Sequence, residues 1–236
     1  MCIIAIKGYG VEYPTVDRVS TMCRNNPDGF ALAYFTKGEG VRIYRTMHKD
    51  TFIKEYEKVK DSHNKDDVAL FIHARISTHG STNIKNCHGW KDDDIGMCFA
   101  HNGILRIDNR DDLTDSETFF RDIFVPAFSI GGWVAGEKTI RAIIGTSKFV
   151  FLDALGAIHY YGEYIQDADG CLYSNSTYKD YGYSGCCSRW PRKWSNSYGN
   201  SWGGASKKEN GSGNTGNEYD DPSYWDDEYR EYYGYE

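Results

Sequence analysis

Cys2-Ile3-Ile4-Ala5-Ile6-Lys7 opens the chain with an apolar, largely β-branched run. A short run of this kind reads as a buried strand. Working outward, Thr15 N-caps a helix whose apolar positions Val16, Val19, Met22 and Cys23 fall at helical spacing. Asn25-Asn26-Pro27-Asp28-Gly29 ends that helix with strong turn chemistry. Phe30 to Phe35 and Val41 to Arg45 read as a hairpin around Lys37-Gly38-Glu39-Gly40. A charged helix follows over Lys49 to Lys60, with Phe52, Ile53, Tyr56 and Val59 inward. Val68 to Ile76 and Gly96 to Ala100 are expected strands, and Ser116 to Phe128 and Glu137 to Ile144 are expected helices. Strands return at Phe149 to Asp153, Ile158 to Tyr164 and Cys171 to Ser174. Strands, then helices, then strands, without βαβ alternation, predict an α+β fold with largely antiparallel sheets.

The chain has 236 residues, enough for one domain with a sizeable core, or for one domain plus an appendage. No stretch approaches the roughly 20 apolar residues of a membrane span. The run Met1 to Ile6 is too short for a signal-peptide core and has no basic residues before it, so secretion is not expected. Seven cysteines without a C-x-x-C pair speak against a zinc ribbon or a thioredoxin motif. They fit a reducing compartment, so a cytoplasmic location is expected, the host's if the protein is viral. The 27 basic and 34 acidic residues give a net charge of -7. Residues 218–236 alone carry that -7, with eight acids against Arg230, so the remainder is neutral. No basic bias suggests nucleic acid.

The composition changes near residue 180. From 181 to 236 there is no Leu, Ile, Val, Met or Phe; nine Gly, nine Tyr and four of the six Trp stand there among Ser, Asn and acids. Burial in such a segment cannot offset its ordering entropy, so residues 2–180 are expected to fold and 181–236 to form a disordered tail. Such a tail either solubilises the domain or docks it to a partner through its aromatics.

Four features carry chemistry. Cys2 is either a small hydrophobe of a buried first strand or, if Met1 is removed, the mature N-terminus. It then offers a thiol and an α-amine of pKa about 7.7–8.0 that can act as the thiol's own base. His73-Ala74-Arg75-Ile76-Ser77-Thr78-His79-Gly80 ends a strand with an arginine that either joins a surface ion pair or offers a planar fork to a carboxylate. Phe99-Ala100-His101-Asn102-Gly103-Ile104 holds an Asn-Gly step. That step is either a tight turn or an oxyanion hole made of the Asn102 amide and the Gly103 N–H. Thr114-Asp115-Ser116-Glu117 caps a helix and leaves Asp115 where it could bind an ammonium group.

In this order the four pieces resemble the class II glutamine amidotransferases, the N-terminal-nucleophile glutaminase domains of glucosamine-6-phosphate synthase, amidophosphoribosyltransferase and asparagine synthetase. Asn25-Asn26-Pro27-Asp28-Gly29 is similar to that family's N-x-x-D-G segment, and Asn86-Cys87-His88 to its N-x-H element. The resemblance covers about residues 2–175. It implies a four-layer αββα sandwich in which Cys2 attacks the side-chain amide of L-glutamine, giving a γ-glutamyl thioester and ammonia. Asn102 and Gly103 would hold the oxyanion. Arg75 would take the substrate carboxylate and Asp115 its ammonium, while Thr78, His79 and His88 would line the pocket. No cofactor is implied. The chain departs from the family at Ile76, where tryptophan is frequent, and at Gly89, where proline is common. It also carries no acceptor domain, so a separate ammonia-accepting enzyme is the expected partner. Compact stand-alone members, some in bacteriophage genomes, are the type it looks most like.

Three rivals remain. A metal enzyme would use His73, His79, His88, His101 and Cys98, but their spacings match no common ligand pattern and Arg75 would repel a cation. Another N-terminal-nucleophile amidohydrolase would have no use for the Arg75 and Asp115 pair. A catalytically silent glutamine-binding or structural module, docked by its aromatic tail, would have no need of Cys2, Asn102 and Gly103 together.

Overall fold

The computed structural model of the protein describes residues 2–77, 82–108 and 113–180. Strand β1 (Ile3–Lys7) leads to helix α1 (Val16–Asn25) and the hairpin β2 (Phe30–Thr36) and β3 (Gly40–Thr46). Helix α2 (Lys49–Ser62) and strand β4 (Val68–Ala74) complete the first half. Then come β5 (Trp90–Asp92), β6 (Met97–Asn102), the short helix α3 (Asp115–Thr118) and helix α4 (Val125–Ile143). Strands β7 (Lys148–Asp153), β8 (Ile158–Tyr161), β9 (Ile165–Gln166) and β10 (Leu172–Tyr173) follow.

The strands form two sheets. One has six strands in the order β3-β2-β4-β1-β10-β9, the other four in the order β5-β6-β7-β8. Every pairing between neighbours is antiparallel. Alternation along the strands then sorts the apolar residues into three cores. Ile3, Ala5, Leu32 and Leu70 face Met22 of α1 and Phe52 and Tyr56 of α2. On the other side of the same sheet Ile4, Ile6, Ala33 and Phe71 meet Cys98, Ala100, Val150 and Leu152 of the second sheet. The far side of that second sheet, with Phe99, Phe149 and Phe151, packs on Phe119, Phe120, Phe124 and Ile140 of the helical segment. Three stacked cores make four layers, α, β, β and α, as expected.

Local chemistry explains the ends of the elements. Thr15 caps α1 by accepting the Arg18 N–H, and the cluster Val19, Met22 and Cys23 is buried. Strand β4 stops at Ala74, two residues short of expectation. There the Arg75 N–H turns to Gly29 O at 2.8 Å, and Arg75 O accepts from Asp28 N at 2.9 Å. Strand β6 instead runs two residues longer than expected, pairing Asn102 with Lys148, so the Asn-Gly step is a strand end and not a hairpin turn. Residues 119–124 form a π-helical turn between α3 and α4. The two helices expected from the sequence are joined through Gly132, whose φ of 58° breaks the helical path. Strands β5 and β9, of three and two residues, are too short to show alternation and were not expected. Among the described residues no helix is long and apolar enough to cross a membrane.

Candidate active site

Cys2 precedes β1, which lies between β4 and β10 in the middle of the large sheet. Alternation puts Cys2 on the same face as Ile4 and Ile6, the face toward the second sheet. The half-buried Cys2 thiol donates to Ile76 O at 3.6 Å. Its carbonyl accepts from Asn175 Nδ2 at 2.6 Å. Burial raises the thiol pKa above its ordinary value, and the positive charges of the chain terminus and Arg75 oppose that rise.

Arg75 is fixed by backbone on both sides. The turn after α1 accepts its N–H at Gly29 O and donates to its carbonyl from Asp28 N. Asp28 Oδ2 accepts the Ser77 N–H at 2.7 Å, and Arg75 Nη2 donates to Ser77 Oγ at 3.3 Å. The turn closes tightly because Gly29 has φ 128°, and a Cβ there would lie 2.5 Å from Cys87 Sγ. Two expected pocket residues, Thr78 and His79, lie outside the described residues.

Asn102 shares the inter-sheet face of β6 with Cys98 and Ala100. Its Nδ2 donates to Ser174 Oγ at 2.8 Å, while its buried Oδ1 has no partner among the described residues. Gly103 has φ 150°; a Cβ there would stand 2.7 Å from Ser147 Cβ and 2.9 Å from His101 Nε2. Asp115 is tied to the segment just beyond. Its Oδ2 accepts from Leu105 N at 2.7 Å, and its Oδ1 accepts from Ser116 N at 2.8 Å and Ser116 Oγ at 3.1 Å. The carboxylate thus holds the residues following Asn102-Gly103, as well as being the expected ammonium ligand.

Behind these groups lie three buried histidines. His73 and His88 stack with ring centroids 3.9 Å apart, and His101 lies 6.2 Å from His88. His101 N donates to His88 Nδ1 at 3.1 Å, so that nitrogen is the acceptor of a neutral ring. His101 Nδ1 lies 2.7 Å from Ser116 Oγ. Burial lowers all three pKa values: His73 to about 3, His101 to about 4 and His88 well below its ordinary value. The rings stack face to face and do not converge; among the described residues no three His, Cys, Asp or Glu are placed to hold a metal ion. The His88 ring packs between His73 and Trp90, in the wall of the sandwich.

Sequence reasoning missed Ser174, Asn175 and Thr177. Ser174 N donates to Ile4 O at 2.9 Å and its Oγ accepts from Ile4 N at 2.8 Å. Asn175 Oδ1 accepts from Thr177 N at 3.0 Å, and Thr177 Oγ1 and O accept from Asn26 and Asn25. This polar run therefore links Cys2, Asn102 and the turn that holds Arg75. The available signal was Ser174-Asn175-Ser176-Thr177, four polar residues directly after a strand.

No protein-family model matches the chain, and no curated protein matches it. Solved structures do. A glutamine aminotransferase class-II domain protein from Silicibacter pomeroyi is 17% identical with a TM-score of 0.41, covering 73% of this chain and 87% of that one. The glutamine phosphoribosylpyrophosphate amidotransferase from B. subtilis, in complex with ADP and GMP, is 13% identical with a TM-score of 0.42. That match covers 74% of this chain and 42% of the B. subtilis chain, so the protein spans less than half the length of that neighbour.

Proposed function

We propose that residues 2–180 form a glutamine amidotransferase domain that hydrolyses the glutamine side-chain amide and passes ammonia to a separate enzyme. The observation that carries this reading is the hydrogen-bonded frame around Cys2. One short polar run bonds both the nucleophile's carbonyl and the Asn102 amide, and the same run holds the turn that clamps Arg75. In this reading one hydrogen-bonded frame holds the nucleophile, the oxyanion donor and the carboxylate fork.

The chemistry follows from these groups. After Met1 is removed, the Cys2 α-amine takes the thiol proton, and the thiolate attacks the amide carbon of glutamine. The oxyanion that forms is held by the Asn102 amide and the Gly103 N–H, each such donor being worth about 2.7–4 kcal/mol. The C–N bond breaks as the amine's proton passes to the leaving nitrogen, which departs as ammonia. Water then attacks the thioester, releases glutamate and restores the thiol. Arg75 pairs with the substrate α-carboxylate and Asp115 with its α-ammonium, so an analogue lacking the amine leaves a charge unpaired and is rejected. Residues 181–236, with nine Tyr and four Trp, are in this reading the part of the chain that contacts the ammonia acceptor.

The test is ammonia release from glutamine by the processed protein and by Cys2→Ala. Turnover by the first and none by a folded Cys2→Ala supports the reading. Equal turnover by both contradicts it, and no turnover by either favours a silent binding module.

A further inference from the structure

Ser174 is 4% exposed and sits where the two sheets face each other. Its Oγ lies 2.8 Å from Ile4 N and 2.8 Å from Asn102 Nδ2. Ile4 N can only donate, so it occupies one lone pair of Ser174 and leaves the hydroxyl proton to be given away. With Nδ2 also donating to Oγ, Ser174 receives two protons and Asn102 Oδ1 stays buried without a partner among the described residues. Turning the Asn102 amide by half a turn exchanges its oxygen and nitrogen, two atoms of nearly equal size. Ser174 O–H then donates to Oδ1, and the buried oxygen is satisfied. The NH₂ group now stands where the orphaned oxygen stood, with both protons available to an anion.

We propose that Ser174 is a positioning residue: its hydroxyl fixes the Asn102 amide with the nitrogen at the buried position Oδ1 would otherwise hold, free of other partners among the described residues and ready for the oxyanion. This rests on the glutaminase reading above. The neighbouring Asn175 binds the Cys2 carbonyl, so residues 174 and 175 set the oxyanion donor and the nucleophile from the same point of the backbone. Asn102 touches the reacting atoms; Ser174 acts only through it.

The experiment is steady-state ammonia release by the processed full chain and by Ser174→Ala, Ser174→Thr, Asn102→Ala and the Ser174→Ala/Asn102→Ala double variant. Ser174→Ala is expected to lower kcat roughly 10- to 100-fold with KM nearly unchanged, because the lost interaction matters only in the transition state. Asn102→Ala is expected to lose about 10²–10³-fold, the loss typical of an oxyanion donor. The double variant should be no worse than Asn102→Ala, since Ser174 has no other route to the reaction. Ser174→Thr keeps the hydroxyl and should stay near wild-type turnover. Wild-type kcat in Ser174→Ala, or losses that multiply in the double variant, would overturn the inference. If Ser174→Ala does not fold, Ser174→Thr decides. Retained turnover supports the role of the hydroxyl, and lost turnover with a native melting curve overturns it. A wild-type chain that does not release ammonia overturns this inference and the glutaminase reading together, whereas an active wild type with an indifferent Ser174→Ala overturns this inference alone.

Discussion

His73 and His88 lie face to face, 3.9 Å between ring centroids and 5° from parallel, in the interior of the sandwich. Two imidazolium rings could not be held so close without solvent, and the lowered pKa of each leaves both neutral near pH 7. Burial is the first cause of their lowered pKa values, and positive charge on the neighbouring His101 and Arg75 acts in the same direction.

Stability should therefore fall in acid. In the unfolded chain a histidine protonates near pH 6.5, whereas folded His73 and His101 stay neutral down to about 3 and about 4. Between these limits the unfolded state binds more protons, so stability rises with pH, is complete above pH 6.5 and is lost as pH falls through the window. Each histidine contributes a slope of up to about 1.4 kcal/mol per pH unit. His73→Phe keeps an aromatic ring in the stack and removes one titrating group. Melting curves at pH 7, 6 and 5 should show a smaller loss for His73→Phe than for the wild type. Parallel losses would show that His73 does not carry the effect.

Arg75→Lys should raise the glutamine KM about 10-fold or more with kcat little changed, because a point charge loses the planar two-point grip on a carboxylate. Steady-state kinetics over glutamine concentration gives both constants. An unchanged KM would move the carboxylate site away from Arg75.

Gly103→Ala should destabilise the fold by roughly 2–5 kcal/mol, combining backbone strain at φ 150° with overpacking against Ser147 and His101. Adding Ser147→Gly removes part of the clash and leaves the strain, so it should recover part of the loss. Urea unfolding of the wild type and the two variants measures this. A Gly103→Ala protein as stable as wild type would mean that the strand end is not held as described.

Truncation after residue 180 should move Tm by less than about 4 °C, the shift that roughly 1 kcal/mol produces in a domain of this size. A larger fall would show that residues 181–236 contribute to the folded unit and that the division at 180 is misplaced.

The strands and helices that carry long apolar patterns were legible in the sequence. Thr15 capping α1, the hairpin β2–β3 and the apolar run of β4 all follow from residue type and spacing. The four-layer arrangement came from the resemblance and matches the three stacked cores. What the sequence hid was pairing at a distance. Asn175 and Cys2 are bonded across 173 positions, and Ser174 and Asn102 across 72, and nothing local in either segment announces its partner. Asn102-Gly103 was ambiguous for the opposite reason, since its local chemistry suits a hairpin turn and only pairing with Lys148 makes it a strand end. His88 offered a polar side chain next to site residues, and burial against His73 and Trp90 places its ring in the wall.

The most direct measurement is the intact mass of the purified protein before and after exposure to 6-diazo-5-oxo-norleucine, a glutamine-shaped diazoketone that alkylates a thiolate with loss of nitrogen. The glutaminase reading predicts a chain without Met1 and a single stoichiometric adduct on Cys2, absent from Asn102→Ala or formed more slowly there. A retained Met1, or a processed Cys2 that takes up no adduct, would contradict it.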